Sequence, residues 1–344
     1  MEYCGMDVHK KYSRVCELNE DGDILEEAKF PTTKQALQRR FGNREPMQIV
    51  LETGTESAWI AQSLENQGHE VIVAHARRID LITDNDNKND RNDAEMLARL
   101  GRSDLDLLTE THVRGKGAQR IRAMLKARTG LVQSRTKLAN QIRGLVRQAG
   151  YTLRSGPPEK LEQIIGESDI PEALLVSVMP LAESVTALTE RIDRLSSKLK
   201  KIARQIDTVD QLKEIDGVGW QTALCFVVTI ENPGRFSSSK KVGAYFGLVP
   251  EVQNSGNEDS DTNHTGSITK NGDSMMRYLL VQAAQAMMRS KTDSELKQFA
   301  KRIEAKKTNQ IAAVACARKL AVVMHTLWKT GREYEPFYHQ NHQK

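Results

Sequence analysis

Between Leu181 and Ile206 the apolar residues Leu181, Val185, Leu188, Ile192, Leu195, Leu199, Ile202 and Ile206 step by four and three in alternation. A 3.5-residue repeat held over more than three heptads predicts a long helix whose narrow apolar seam must meet another helix. That helix can come from a second copy or from the same chain. A coiled coil between copies, and hence a homo-oligomer, is the expectation.

Upstream of the seam, Thr111 to Pro158 contains no acidic residue, while Arg114, Lys116, Arg120, Arg122, Lys126, Arg128, Arg135, Lys137, Arg143, Arg147 and Arg154 are all basic. Ile121, Leu125, Leu131, Leu138, Ile142 and Leu145 recur at roughly helical spacing. The segment therefore reads as a long amphipathic helix or helix pair with a positive face. A solvated surface normally mixes signs, and one this lopsided points to phosphate, of DNA or RNA alike. The formal charge of +5 is modest, so its distribution carries the signal. Aromatics make up 5% of the chain, which argues for backbone recognition over a base-stacking surface. Cys4, Cys16, Cys225 and Cys316 lie far apart without a C-x-x-C pair, which speaks against a zinc ribbon or a disulfide framework. No hydrophobic signal segment and no apolar stretch of membrane-spanning length is recognised, so a cytoplasmic location without a membrane partner is expected.

The first hundred residues alternate short strands with helices. Tyr3 to Val8, Ser13 to Leu18 and Ile24 to Phe30 read as strands, the last two joined by the turn Asn19-Glu20-Asp21-Gly22. Met47 to Glu52 is a fourth strand, Ser57 to Gln67 a helix and Val71 to Ala74 a fifth strand. A meander followed by βα units predicts a mixed sheet covered by helices. After Asp210, the run Leu212 to Gly219 leads into the apolar helix Thr222 to Ile230, a helix-hairpin-helix pattern. Gly217 and Gly219 would there leave backbone N–H groups free for one nucleic-acid phosphate. The remainder reads as mostly helical, over residues 274–290 and 294–330, with a polar loop over 251–264.

Four carboxylates stand out. Asp7 ends the first strand beside a glycine, and Glu52 ends the fourth, both where open α/β sheets place ligands. On adjacent central strands the two would repel each other unless a cation held them. Asp90 and Asp93, spaced i to i+3, share one face of a helix beginning near Asp90. Four oxygen donors suit Mg2+ or Mn2+, and two such ions about 3.5–4 Å apart can clamp both reacting oxygens of a phosphodiester. In this order the four form a D-E-D-D signature of the RNase H-like fold. His9 is set aside as structural, on the expectation that the strand directs it to the face opposite Asp7.

The motifs G-M-D-V-H-K, L-E-T-G-T and K-N-D-R-N-D-A resemble the RuvC-like domain of the IS110 family of transposases, including its IS1111 branch. I-D-G-V-G, F-G-L-V-P-E-V-Q-N-S-G and I-T-K-N-G-D-S-M-M-R-Y-L-L resemble the transposase domain of the same family, in the same order along nearly the whole chain. The resemblance implies a RuvC-like, RNase H-fold domain over 1–110, basic helices and a coiled coil over 111–208, and a mainly helical transposase domain over 209–344. It makes Asp7, Glu52, Asp90 and Asp93 the metal-binding carboxylates and Ser255, in N-S-G, a nucleophile forming a phosphoserine intermediate. It implies double-stranded donor and target DNA, a guiding non-coding bridge (seeker) RNA, and a dimer or tetramer with a site composed across subunits.

Taken alone, Ser255 in a polar loop reads as a turn residue, and a serine hydroxyl needs activation before it attacks. Glu258, Asp259, Asp261 and His264 follow it, but activation by bound metal is preferred over a triad. That loop is acidic where family members often carry basic residues, although Lys270 and Gly272 keep the K-x-G pattern and Lys270 remains a nucleic-acid contact. Three rivals are a hydrolytic nuclease of the Holliday-junction-resolving type, a non-catalytic nucleic-acid scaffold and an actin-like sugar kinase. No glycine-rich adenosine motif supports the last.

Overall fold

The computed structural model describes residues 1–75, 90–105, 108, 110–252 and 265–342, with the backbone alone for Asp90, Arg91, Val252, Thr265, Gly266 and His339. Two compact units divide the chain, Met1–Gly115 and Lys116–Lys344.

In the first unit β1 (Tyr3–Val8), β2 (Tyr12–Leu18) and β3 (Ile24–Pro31) form an antiparallel meander. The β2–β3 turn is closed by the Asp23 N–H, which donates to Asn19 Oδ1 at 2.8 Å, and by Gly22 at φ +90°. Then come α1 (Lys34–Phe41), β4 (Gln48–Glu52), α2 (Ser57–Glu65), β5 (Glu70–Ala74) and α3 (Asp90–Ser103). The sheet order is β3-β2-β1-β4-β5, with β4 parallel to β1 and β5 parallel to β4, the mixed sheet expected.

Side-chain alternation splits this sheet into two packed faces. Cys4, Met6, Ile49 and Leu51 face a core with Leu37 and Phe41 of α1 and Ile60 and Leu64 of α2. The intervening residues face α3, where Val50 packs with Leu97, and Cys16 and Leu18 with Ala94 and Ala98. Gly5 lets α3 come down on β1: a Cβ there would lie 2.0 Å from the Ala94 carbonyl oxygen and 2.3 Å from the Ala98 nitrogen.

The second unit opens with the 33-residue α4 (Lys116–Gln148), followed by α5 (Leu161–Gly166) and the 32-residue α6 (Glu172–Ala203). Leu125 clusters with Leu199 and Ala203, whereas Ile142 and Val146 cluster with Val178, Ala182 and Val185, so α4 and α6 form an antiparallel hairpin. Val185, Ile192 and Leu199 of the heptad seam are buried; Leu181, Leu188, Leu195 and Ile202 are half-buried. Leu195 and Ile202 pack against the cluster of Leu125 and Leu199, and Leu181 against that of Ile142 and Val185, so most of the seam packs within the chain. Ile206 lies beyond the end of α6.

Next come α7 (Asp207–Lys213), α8 (Trp220–Ile230), α9 (Lys241–Tyr245), β6 (Pro250–Val252), β7 (Thr265–Ile268), α10 (Ser274–Arg289), α11 (Glu295–Glu304), α12 (Asn309–Thr330) and α13 (Tyr338–Asn341). Against expectation, α6 and α12 are long and apolar enough to pass for membrane spans by composition. Part of their apolar surface packs within the chain, in α12 against α9, α10 and α11 and in α6 against α4, while Val176 of α6 keeps 71% of its surface. β6 and β7 pair antiparallel through Pro250↔Ile268 and Val252↔Thr265. Ser255, in the connection between them, lies outside the described residues.

Candidate active site and nucleic-acid interface

β1 and β4 lie side by side in the register Met6↔Leu51, so the next residues along, Asp7 and Glu52, are neighbours at one edge of the sheet. Asp7 shares a face with Gly5, and Glu52 with Val50, so both carboxylates belong to the α3 side. The course of α3 brings its start to the same edge. Ala94 and Ala98 lie over Gly5, whereas Gly101 lies over Val50 and its carbonyl accepts from Gln48 Nε2 at 2.7 Å. The helix therefore runs from the strand ends towards the strand starts. Its first turn carries Asp93, half-buried and one turn ahead of the sheet-facing Leu97, and Asp90, whose side chain lies outside the described residues.

The Asp7 side chain keeps 14% of its surface, while Glu52 is exposed. The His9 imidazole Nε2 lies 3.0 Å from Asp7 Oδ2, and its ring centroid is 4.7 Å from that of Tyr12. This corrects the expectation for His9. It stands two residues from Asp7, past the end of β1, and the alternation that turns Val8 away returns His9 to the carboxylate's side. Arg14 is a second neighbour not singled out in the sequence: the β1–β2 register places it directly across from Asp7. The signal was available, since a hairpin of known turn fixes which residues face each other.

Among the described residues no three His, Cys, Asp or Glu side chains are close enough as they stand to hold an ion. The donor type is nevertheless that of a hard divalent cation, since two strands and a helix bring carboxylate-bearing residues to one edge of the sheet.

The basic residues of the second unit divide sharply. Lys116, Arg120, Lys126, Lys137 and Arg147 of α4 are exposed, as is Arg154. Arg122 is buried, its guanidinium donating to Thr229 Oγ1 and to Asp273 Oδ2. Arg128 donates to Ser196 Oγ at 2.7 Å and to Gln221 Oε1 at 2.8 Å, with Trp220 beside it. Arg135 pairs with Glu159, and Arg143 donates to the Gly156 carbonyl at 2.7 Å. Burial and these partners remove Arg122 from a phosphate-binding face and leave Arg128, Arg135 and Arg143 engaged in the fold. Arg114 belongs to the first unit and is half-buried.

Gly217, at φ +83°, sits where a Cβ would come within 2.4 Å of the Ala283 carbonyl oxygen, so the α7–α8 turn packs directly on α10. Gly219, the N-cap of α8, is exposed.

Lys270 is exposed at φ +53° and its N–H donates to the Gly247 carbonyl at 3.2 Å. A Cβ on Gly247 would lie 2.1 Å from the Asn271 carbonyl oxygen, and one on Gly272 2.1 Å from that of Tyr245. Two glycine turns are thus pressed backbone to backbone. The Arg277 guanidinium fastens them, donating to the Phe246 carbonyl at 3.1 Å and the Gly272 carbonyl at 3.2 Å. Asp273 follows, capping α10 through the Met276 N–H at 2.8 Å while it holds Arg122. F-G-L-V and K-N-G-D are in this way brought together beneath the two strands that flank Ser255 in sequence.

With this geometry in place, two family models match the chain. Residues 4–150 match a DEDD transposase domain of IS110 type, and residues 209–301 match the model described as "Transposase IS116/IS110/IS902 family". Among curated proteins, the transposase for insertion sequence element IS1111A of Coxiella burnetii is 32% identical over 261 residues, covering 72% of this chain and 68% of its own. The transposase for insertion sequence element IS1328 of Yersinia enterocolitica is 24% identical over 333 residues, covering 95% of this chain and 96% of its own.

Proposed function

Because the chain belongs to the IS110 family of insertion-sequence transposases, we propose that it cuts and rejoins DNA strands by metal-assisted transesterification through a phosphoserine intermediate. The observation that supports this reading is that β1, β4 and the first turn of α3 carry Asp7, Glu52 and Asp93 to the same edge of the sheet, on its α3 side. These three, with Asp90, are the residues that would hold Mg2+ or Mn2+. The ion would neutralise charge on the phosphodiester and favour the ionised form of the attacking hydroxyl.

In the first step the Ser255 oxygen bonds to phosphorus and the strand oxygen leaves, taking up the serine proton as a free hydroxyl. In the second step a strand hydroxyl attacks the phosphoserine, a new phosphodiester forms and the proton returns to serine. No water is consumed, so bond energy is stored in the covalent link. His9 and Arg14, beside Asp7, position that carboxylate. Backbone phosphates would lie against the exposed Lys116, Arg120, Lys126, Lys137 and Arg147, with Gly219 and Lys270 as further contacts.

The division into 1–110, 111–208 and 209–344 is retained as a functional one. The guide is a non-coding RNA that pairs with donor and target DNA. Association between copies would use the surface that the seam helix leaves exposed, the half-buried Leu188 included, and would let carboxylates of one subunit meet the serine of another.

Ser255→Ala and Asp7→Ala, assayed on element-end DNA with Mg2+, test the chemistry. Both are expected to abolish strand joining, and Ser255→Ala to abolish every covalent protein–DNA adduct. Continued cutting by Ser255→Ala without an adduct would instead identify a hydrolytic nuclease. Recombination in cells that survives Asp7→Ala would leave a scaffold. Sequencing RNA that copurifies with the protein tests the guide, and absence of a discrete species removes it.

A further inference from the structure

A cleft of about 650 Å³ opens in the second unit between β6–β7 and helices α11 and α12. Its floor is apolar, formed by Leu248, Ile268, Val314 and Val322, and its edge is cationic, formed by Lys240, Lys307, Arg318 and Lys319. Among the described residues no carboxylate lines it and none of these four cations forms an ion pair. Lys240, Lys307 and Arg318 are exposed, and Lys319 lies over the Phe299 ring, 4.7 Å from its centroid. Ile311, at the mouth, keeps 50% of its surface.

Resting on the DNA-recombinase reading above, we infer that this cleft holds one unpaired nucleic-acid strand, phosphates on the lysine–arginine edge and bases on the apolar floor. Three observations favour this occupant. Among the described residues the positive edge has no carboxylate partner, and a phosphate backbone, with one negative charge per nucleotide, complements it. The volume falls within the roughly 300–1,000 Å³ range of pockets that enclose a small organic ligand, which admits a nucleotide or two of single strand and not a duplex. The cleft is also walled by Pro250 of β6 and Ser267 and Ile268 of β7, the strands that flank Ser255 in sequence.

That last placement answers a difficulty in the sequence. Glu258, Asp259 and Asp261 follow Ser255 closely and would repel a DNA backbone. A strand approaching the serine therefore needs cations from elsewhere, and the cleft edge provides four. With aliphatic side chains and one ring on its floor, it would bind with little preference for sequence.

The test uses the full chain and short single-stranded and duplex DNA in fluorescence anisotropy over a salt series, with circular dichroism to verify folding. In Lys307→Glu with Arg318→Glu the single-strand salt slope is expected to fall by about 1.4, at about 0.7 per phosphate contact, while duplex binding keeps its slope. Ile311→Asp, at an exposed position, is expected to weaken single-strand binding several-fold without changing that slope much. Lys126→Glu with Lys137→Glu serves as the control on α4. If that control weakens DNA binding and the cleft variants match the wild type on single strands, the cleft proposal is overturned while the wider reading stands. If the wild-type chain binds neither DNA form, the nucleic-acid reading itself fails. Equal loss of single-strand and duplex binding in the cleft variants also overturns the proposal, since it would mark a general positive surface.

Discussion

Arg122 and Lys126 are both basic and one helical turn apart on α4, yet one is buried against Asp273 and the other faces solvent. Arg122→Ala strips a buried carboxylate of its partner and is expected to cost about 3–5 kcal/mol, read from the denaturant midpoint. Lys126→Ala should leave stability within about 0.5 kcal/mol and instead lower the salt slope of duplex binding by about 0.9. His325 offers a pH test. It is fully buried, hydrogen-bonded to Ser239 Oγ at 2.9 Å and to the Pro233 carbonyl at 3.0 Å, and burial holds its pKa below the ordinary imidazole value. Its neutral form is the one the fold accommodates. The contribution is therefore complete above about pH 6.5 and is lost as the pH falls and the unfolded chain takes up the proton. Chemical denaturation between pH 7.5 and 5 should show that loss, and His325→Gln should flatten it.

Between elements, the decisive contact is α3 on β1. Gly5→Ala places a methyl where the helix backbone already lies, and overpacking of this kind costs about 1–3 kcal/mol. Because α3 also carries Asp93, the variant should lose strand joining more steeply than stability, read by comparing recombination with thermal unfolding. The strands behind this contact were legible in the sequence to within a residue, because alternation and turn chemistry act locally. The turn at Gly22 was too. The short helix α1 was not, since eight residues are too few to establish a period. Its role appears in the contacts it makes: Arg40 Nη2 donates to the fully buried Glu17 at 2.7 Å, and Arg44, just beyond the helix, donates to the same carboxylate at 2.6 Å.

Across the molecule, contacts fall into Met1–Gly115 and Lys116–Lys344. Each has its own clusters of buried side chains, so 116–344 expressed alone is expected to unfold cooperatively with a helical circular-dichroism spectrum. A non-cooperative transition would contradict this. The sequence by itself determined the strand order of the meander, the existence of a long seam helix and the residue types that can hold a cation or a phosphate, because periodicity and charge are properties of neighbouring residues; the helix itself begins at Glu172, ahead of the seam, and ends at Ala203, before Ile206. Only the tertiary structure decided that most of the seam packs within the chain, that His9 turns back to Asp7, and that four of the basic residues of α4 are engaged within the fold. Which side of a helix is covered depends on residues far away in the chain, and no local pattern carries that information.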